Sequence, residues 1–274
     1  MKHEKGEKYM KKVFISADIE GINNVLTWDE TELGSAEYAR YRHLMTQEVK
    51  AACEAAHEAG YEVVVKDAHD YARNLIVEEL PEYVLLHRGW QGCPASMMAG
   101  LDDTFAAVIY IGYHSAAYTN GNPLSHTMTT RLNKVLVNGK IASEFLLNSF
   151  YATYNKVPIA FLSGDEALTK AVKEENDNIE VVATKKGLGG AILSKHPEKV
   201  YKEIKEGVKK ALTKDLKENY VTLPLSFDCD IEYRQHQEAY RLSFYPGCKY
   251  VTPNRIIYHT DSYKDFLAMC KFTM

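Results

Sequence analysis

The sequence has no basic excess. Its 274 residues carry 33 Lys and Arg against 37 Asp and Glu, a net charge of −4. A chain that binds nucleic acid through its phosphates needs a cationic surface, so a nucleic-acid partner is not expected. Long apolar runs are also missing. The N-terminal MKHEKGEKYMKK is lysine-rich and leads only into the short run Val13–Ile15, which is neither a signal peptide nor a membrane span. That excludes a membrane partner and predicts a cytoplasmic protein, with Met10 as an alternative start. Cysteine is sparse. Cys53, Cys93, Cys229, Cys248 and Cys270 are odd in number and form no C-x-x-C pair, as in a reducing compartment without a disulfide framework.

Several catalytic motifs are absent as well. There is no G-x-x-x-x-G-K-[ST] loop, no G-x-G-x-x-G after a strand, no G-x-S-x-G elbow and no H-E-x-x-H. Nucleotide binding and serine hydrolase chemistry of the elbow type are therefore unsupported. Gly187-Leu188-Gly189-Gly190 lacks the rest of a dinucleotide fingerprint and reads as a flexible turn.

What is present is an alternation of strand and helix signals. VFISA (13–17), YEVVV (61–65), YVLLH (83–87), AAVIYIG (106–112), IAFLS (159–163) and Val181–Lys185 read as strands. Segments 40–59, 144–154, 165–176 and 197–214 have helical periodicity, and Gly60 is placed to end the first of them. A short helix or turn over 74–80 is stopped by Pro81, and Asn138-Gly139 predicts a tight hairpin turn. Beyond Tyr220 come short strands, with a helix expected over Ile231–Tyr240. The pattern predicts an α/β fold: a mostly parallel sheet with flanking helices, plus a smaller C-terminal α+β subdomain. The expected division is an N-terminal extension (1–11), a metal-binding core (12–185) and a C-terminal region (186–274).

In open α/β sheets ligands bind at the carboxyl ends of strands. Acids and imidazoles gather there in this chain. Asp18 and Glu20 follow the first strand, Asp67 and His69 the second, and His114 follows AAVIYIG; Glu144 follows the hairpin. Each has a plainer meaning alone: a turn, a helix cap, a hydrogen-bonded core histidine, a helix N-terminal acid. Together, Asp18, Glu20, His69, His114 and Glu144 offer mixed carboxylate and imidazole ligation suited to Zn²⁺, with Mn²⁺ or Co²⁺ as alternatives. Five ligands exceed what one catalytic zinc takes from protein and suit two ions sharing a carboxylate. His126, in the loop segment PLSHTM, is placed to donate to a developing oxyanion or to shuttle protons.

These segments resemble the DppA-type D-aminopeptidase family. The matching stretches are SADIEG (16–21), KDAH (66–69), GLDDTF (100–105), IGYH (111–114), LSHTM (124–128), Asn138-Gly139 with Glu144, and SGD (163–165). They run in the family order over about residues 12–170, and Lys66 stands where the family tends to have Asn. The resemblance implies two zinc ions per subunit. One would take Asp18, Glu20 and His69, the other Asp18, His114 and Glu144, with Asp18 as the bridge and His126 as the additional catalytic residue. It further implies hydrolysis of the N-terminal peptide bond of short peptides with a D-Ala-like preference, and a homo-oligomer up to a ring-stacked decamer. The alternatives are a dinuclear hydrolase of another amide or a phosphoester, and a non-catalytic peptide-binding oligomer.

Overall fold

The computed structural model describes residues 11–274. The expected extension, apart from Lys11, and the alternative start at Met10 lie outside the described residues. In chain order the elements are β1 (Lys11–Ala17), α1 (Tyr38–Glu58), β2 (Tyr61–Asp67), β3 (Leu85–His87), β4 (Phe105–Tyr113), β5 (Leu132–Val137), β6 (Lys140–Ile141), α2 (Glu144–Tyr154), β7 (Ile159–Asp165), α3 (Glu166–Glu175), β8 (Glu180–Leu188), β9 (Ala191–Ser194), α4 (Pro197–Leu212), β10 (Phe227–Tyr233), α5 (His236–Leu242), β11 (Lys249–Thr252), β12 (Arg255–Thr260) and α6 (Tyr263–Thr273).

Seven strands form the main sheet in the order β3-β2-β1-β4-β7-β8-β9. All neighbours are parallel except the edge pair β8–β9. Alternation along β1 sends its residues to two different cores. Val13, Ile15 and Ala17 face one layer, where α1 contributes Met45, Val49, Ala52 and Ala56 and α4 contributes Val200, Ile204 and Val208. Phe14 faces the opposite layer with Tyr110, Phe145 and a second sheet. That sheet is antiparallel, ordered β11-β12-β10-β5-β6. It takes β5 and β6 from residues 132–141 and the rest from 227–260, so each sheet uses strands from well-separated parts of the chain. The α/β class with a mostly parallel sheet is thus as expected from the sequence. Among the described residues no helix is long and apolar enough to cross a membrane.

Two local expectations are corrected. The helix expected over Ile231–Tyr240 is a strand up to Tyr233, and helix begins only at His236. Phe227, Cys229, Ile231 and Tyr233 are buried while Asp228, Asp230 and Glu232 between them are more open. That is a period of two, and pairing on both sides by β12 and β5 holds it. In the glycine-rich stretch, Gly187 and Leu188 continue β8, and only Gly189-Gly190 make the turn into β9. The Asn138-Gly139 turn is as expected, with both residues at positive φ (52° and 78°) between paired β5 and β6.

Strand order reverses between β1 and β4, since the connections from β1 run outward through β2 and β3 while β4 begins the other half. Such a switch point leaves a crevice at the carboxyl ends of the two strands.

Candidate metal centre

The ends of β1 and β4 touch unusually closely. The amide of Asp18 donates to the Ile111 carbonyl at 2.8 Å, and the amide of Gly21 to the Gly112 carbonyl at 2.8 Å. A Cβ at position 21 would lie 1.8 Å from the Tyr113 carbonyl oxygen, so only glycine fits. Close approach, rather than an unusual φ, is the reason for glycine here. It brings Asp18 and Glu20 alongside His114, which directly follows β4. His69 arrives two residues after β2, beside β1. Glu144 is the first residue of α2, whose N-terminus is capped by Ser143. His126 comes from the loop between β4 and β5.

All six residues predicted from the sequence converge. His69 Nδ1 lies 3.2 Å from Asp18 Oδ1 and 3.1 Å from Glu20 Oε2. His114 Nε2 lies 3.5 Å from both Asp18 Oδ2 and Glu144 Oε1. His126 Nε2 is 3.4 Å from Glu144 Oε1 and 3.8 Å from Glu20 Oε1. Among the described residues three triads have donor atoms within 4.8 Å of one another: Asp18, Glu20 and His69; Asp18, His114 and Glu144; and Glu20, His114 and His126. Asp18 belongs to the first two through different carboxylate oxygens. The His114 and His126 rings stack at 4.3 Å, and Trp28 meets His126 edge-on at 5.3 Å.

Each imidazole is oriented by a backbone carbonyl. His69 Nε2 donates to Thr31 O at 3.1 Å, His114 Nδ1 to Ser115 O at 2.9 Å, and His126 Nδ1 to Leu124 O at 3.0 Å. A carbonyl only accepts, so these bonds fix one ring proton on each imidazole, and the opposite nitrogen, once deprotonated, points its lone pair among the carboxylates. Asp18 Oδ2, Glu20 Oε2 and His114 Nε2 are buried without a hydrogen-bond partner among the described residues. Glu20 Oε2 is near His69 Nδ1 but outside hydrogen-bond geometry. Buried acceptors left unpaired are unfavourable, and a divalent cation among them supplies the missing positive charge. The donor set fits zinc: carboxylate oxygens and imidazole nitrogens, each imidazole held from behind.

With no cation among them, protons on the imidazoles offset the carboxylates instead. Burial drives the Asp18 carboxyl well up, and the Glu20 charge beside it adds to the rise. Burial also acts to raise Glu20, but the His69 charge overcomes it and holds Glu20 well below the ordinary range. Glu144 is likewise buried, and His114 brings it down to about 2. His114 would be lowered by burial, yet Glu144 lifts it to about 10. His126 goes the other way, lowered by burial and by the neighbouring His114 charge.

Sequence reasoning missed the residues that hold these six in place. Buried Lys185, within β8, donates through Nζ to the carbonyls of Glu20 at 2.6 Å and Val25 at 2.5 Å. Asn122 donates to the same Glu20 carbonyl at 2.9 Å. Asp165 accepts from the Ser115 amide at 2.7 Å and hydroxyl at 2.5 Å, and its Oδ1 also caps α3. Thr127 ties the His126 loop to Ala142 O at 2.8 Å. Asp67 does not face the centre; its carboxylate accepts from the amides of Asn74 at 2.5 Å and Leu75 at 2.8 Å, folding the loop that carries His69. A lysine at the end of the expected strand 181–185 was the one visible signal for Lys185, and its partners lie in the loop that follows β1.

Comparison with known proteins sets this geometry in a family. The family model for D-aminopeptidase matches residues 10–272. The chain belongs to the D-aminopeptidase family. A D-aminopeptidase of Bacillus subtilis (strain 168) is 30% identical over 271 residues, covering 96% of this chain and 98% of that protein. Among solved structures, the Zn-dependent D-aminopeptidase DppA from Bacillus subtilis, described as a self-compartmentalizing protease, superposes with a TM-score of 0.86 at 29% identity. That match covers 96% of this chain and 98% of the other. The D-aminopeptidase fold therefore spans nearly the whole chain, including the second sheet and α6.

Proposed function

We propose that this D-aminopeptidase family member is a zinc-dependent aminopeptidase with a dinuclear centre. It hydrolyses the N-terminal peptide bond of short peptides, with preference for a D-residue at that end. The observation that carries this is the pair of buried triads sharing Asp18, with Glu20 and His69 on one side and His114 and Glu144 on the other. Two zinc ions held there, with Mn²⁺ or Co²⁺ as substitutes, would bring the pKa of a water molecule toward neutral, polarise the scissile carbonyl and anchor the free amine.

His126 moves the protons. Its Nδ1 is committed to Leu124 O, so Nε2 presents a lone pair to the cleft, and its lowered pKa keeps it neutral near pH 7. Nε2 accepts a proton from the attacking water and delivers it to the leaving amine. The ring is kept at its station by stacking on His114 and by Trp28.

The cleft argues against a phosphoester substrate. Its described lining includes Asp18, Glu20, Glu32, Asp70 and Glu144 but only one cationic side chain, Lys271. Beyond the zinc ligands an anionic phosphate would meet Glu32 and Asp70 with only Lys271 to pair it. A cytoplasmic homo-oligomer, up to a decamer, belongs to the same proposal, and the similar structure's description as self-compartmentalizing supports the assembly.

The test is metal analysis combined with a panel of D- and L-aminoacyl amides. The expected result is two zinc ions per chain and turnover of D-substrates, both lost in Asp18→Ala. Full zinc content and normal turnover in Asp18→Ala would sink the assignment. Preference for L-substrates would overturn the stereochemistry and leave the metal site standing.

A further inference from the structure

The cavity that contains the metal centre is far larger than the centre needs, about 480 Å³. From Glu144 an arm of it runs outward between α2 and α6. Glu144, Leu147 and Tyr151 recur on one face of α2 at helical spacing and span about 10 Å at 1.5 Å per residue. Leu267, Cys270 and Met274 recur in the same way along α6 and its end, forming the opposite wall. Met97 closes the floor. Beyond Glu144 and Asn148 the arm is lined mainly by apolar side chains, and Lys271, its other charged side chain among the described residues, is exposed.

These walls are preformed. The amide of the Asn148 side chain donates to Met97 Sδ at 3.2 Å and to the Tyr113 hydroxyl at 3.0 Å, and the Ser16 hydroxyl holds Met97 O at 3.1 Å. Helix α6 is pinned at its end by Arg131, which donates to Met274 O at 2.7 Å, and by the Tyr233 hydroxyl on Thr273 O at 2.8 Å. Phe266 stacks on Phe227 of the second sheet at 4.4 Å. A preformed apolar arm opening directly onto a reaction centre is a side-chain subsite.

Resting on the aminopeptidase reading above, we infer that this arm takes the side chain of the substrate's N-terminal residue, and that it selects large apolar side chains of the leucine, methionine or phenylalanine class over alanine. An alanine methyl occupies roughly the space of one water, about 30 Å³, and leaves the arm walls wet. A leucine side chain covers them and loses its own apolar hydration. For an aspartate or glutamate the arm offers only the exposed Lys271 against a mainly apolar wall, so these side chains are disfavoured.

The experiment compares kcat/KM for the p-nitroanilides of D-Ala, D-Leu, D-Met, D-Phe and D-Asp on the zinc-loaded enzyme, then D-Ala-D-Leu against D-Leu-D-Ala. D-Leu should exceed D-Ala by about tenfold or more, from a few buried methylene equivalents, and the preference should follow residue one of the dipeptide. Filling the arm with Cys270→Phe, or with Leu267→Phe if the first fails to fold, should lower the D-Leu to D-Ala ratio about tenfold at unchanged zinc content. Met274→Ala should move the optimum toward D-Phe. D-Ala as the best substrate, or a preference that follows residue two, overturns the inference while leaving the aminopeptidase reading intact. No turnover of any D-substrate overturns both.

Discussion

Gly21→Ala would test the claim that the close contact of two strand ends builds the metal centre. In the native chain a Cβ at this position would lie 1.8 Å from the Tyr113 carbonyl oxygen, 2.5 Å from its carbon and 2.6 Å from the Gly112 oxygen. These are backbone atoms that cannot rotate away. Non-bonded heavy atoms settle near roughly 3.5 Å, so the segments must part by about 1.7 Å. The Gly21–Gly112 hydrogen bond at 2.8 Å cannot survive that, and Asp18–Ile111 at 2.8 Å is strained with it. Losing one such bond costs about 1 kcal/mol, and overpacking adds about 1–3 kcal/mol. A total near 3 kcal/mol lowers the melting temperature by roughly 6–12 °C for a chain of this size. The same displacement carries His114 away from Asp18, whose Nε2–Oδ2 separation is 3.5 Å. Zinc affinity should fall by about 10–100-fold, as when a metal site loses its support. Thermal unfolding and competition with a chromophoric zinc chelator measure the two effects. Gly190→Ala is the control, because nothing lies within 4 Å of its Cβ position and it has no positive φ; it should stay within about 0.5 kcal/mol of the native chain. A Gly21→Ala protein as stable and as tight for zinc as the control would refute the reasoning.

Three further outcomes are expected. His126→Ala should keep its zinc but lose about 10²-fold or more in kcat; unchanged kcat would remove His126 from the proton transfer, without touching the ligand assignment. Lys185→Met should keep the fold but weaken zinc binding by about tenfold, since it removes one of the two donors that hold the Glu20 carbonyl; equal affinity in a chelator titration would show that Lys185 serves the fold alone. Glu48, fully buried on α1, is pushed up to about 8, first by burial, against the opposing pull of the Asn23 amide and Lys185. A raised carboxyl favours the folded state below its unfolded pKa, and the advantage is lost as pH rises from about 4.5 through 8. Glu48→Gln should therefore flatten the decline in unfolding free energy between pH 5 and pH 9, an effect on the order of a few kcal/mol. Parallel stability curves for the two proteins would contradict the assignment.

The pattern of elements was legible because parallel strands are continuous apolar runs and the helices between them repeat every three to four residues. The end of the chain was less legible. FDCDIEY reads as a strand only once β5 and β12 flank it, and β5 comes from nearly a hundred residues earlier. The positions of Asp18, Glu20, His69, His114 and Glu144 could be marked because a strand's end is visible in sequence and strand ends collect ligands. His126 was found through its loop and its resemblance to the family, not through periodicity.

The sequence by itself determined which residue types were available at the strand ends, and hence that oxygen and imidazole ligation was the chemistry on offer. Tertiary structure alone decided the pairings: that Asp18 faces His69 with one oxygen and His114 with the other, and that Lys185 and Asn122 converge on one carbonyl. Only it opened an apolar arm from the centre, because α2 and α6 lie over a hundred residues apart and meet only when the second sheet folds onto the first. Composition records what each segment contains; which segments become neighbours is set by strand order and packing, and that is where Gly21, a single residue without a side chain, lets the two halves of the site touch.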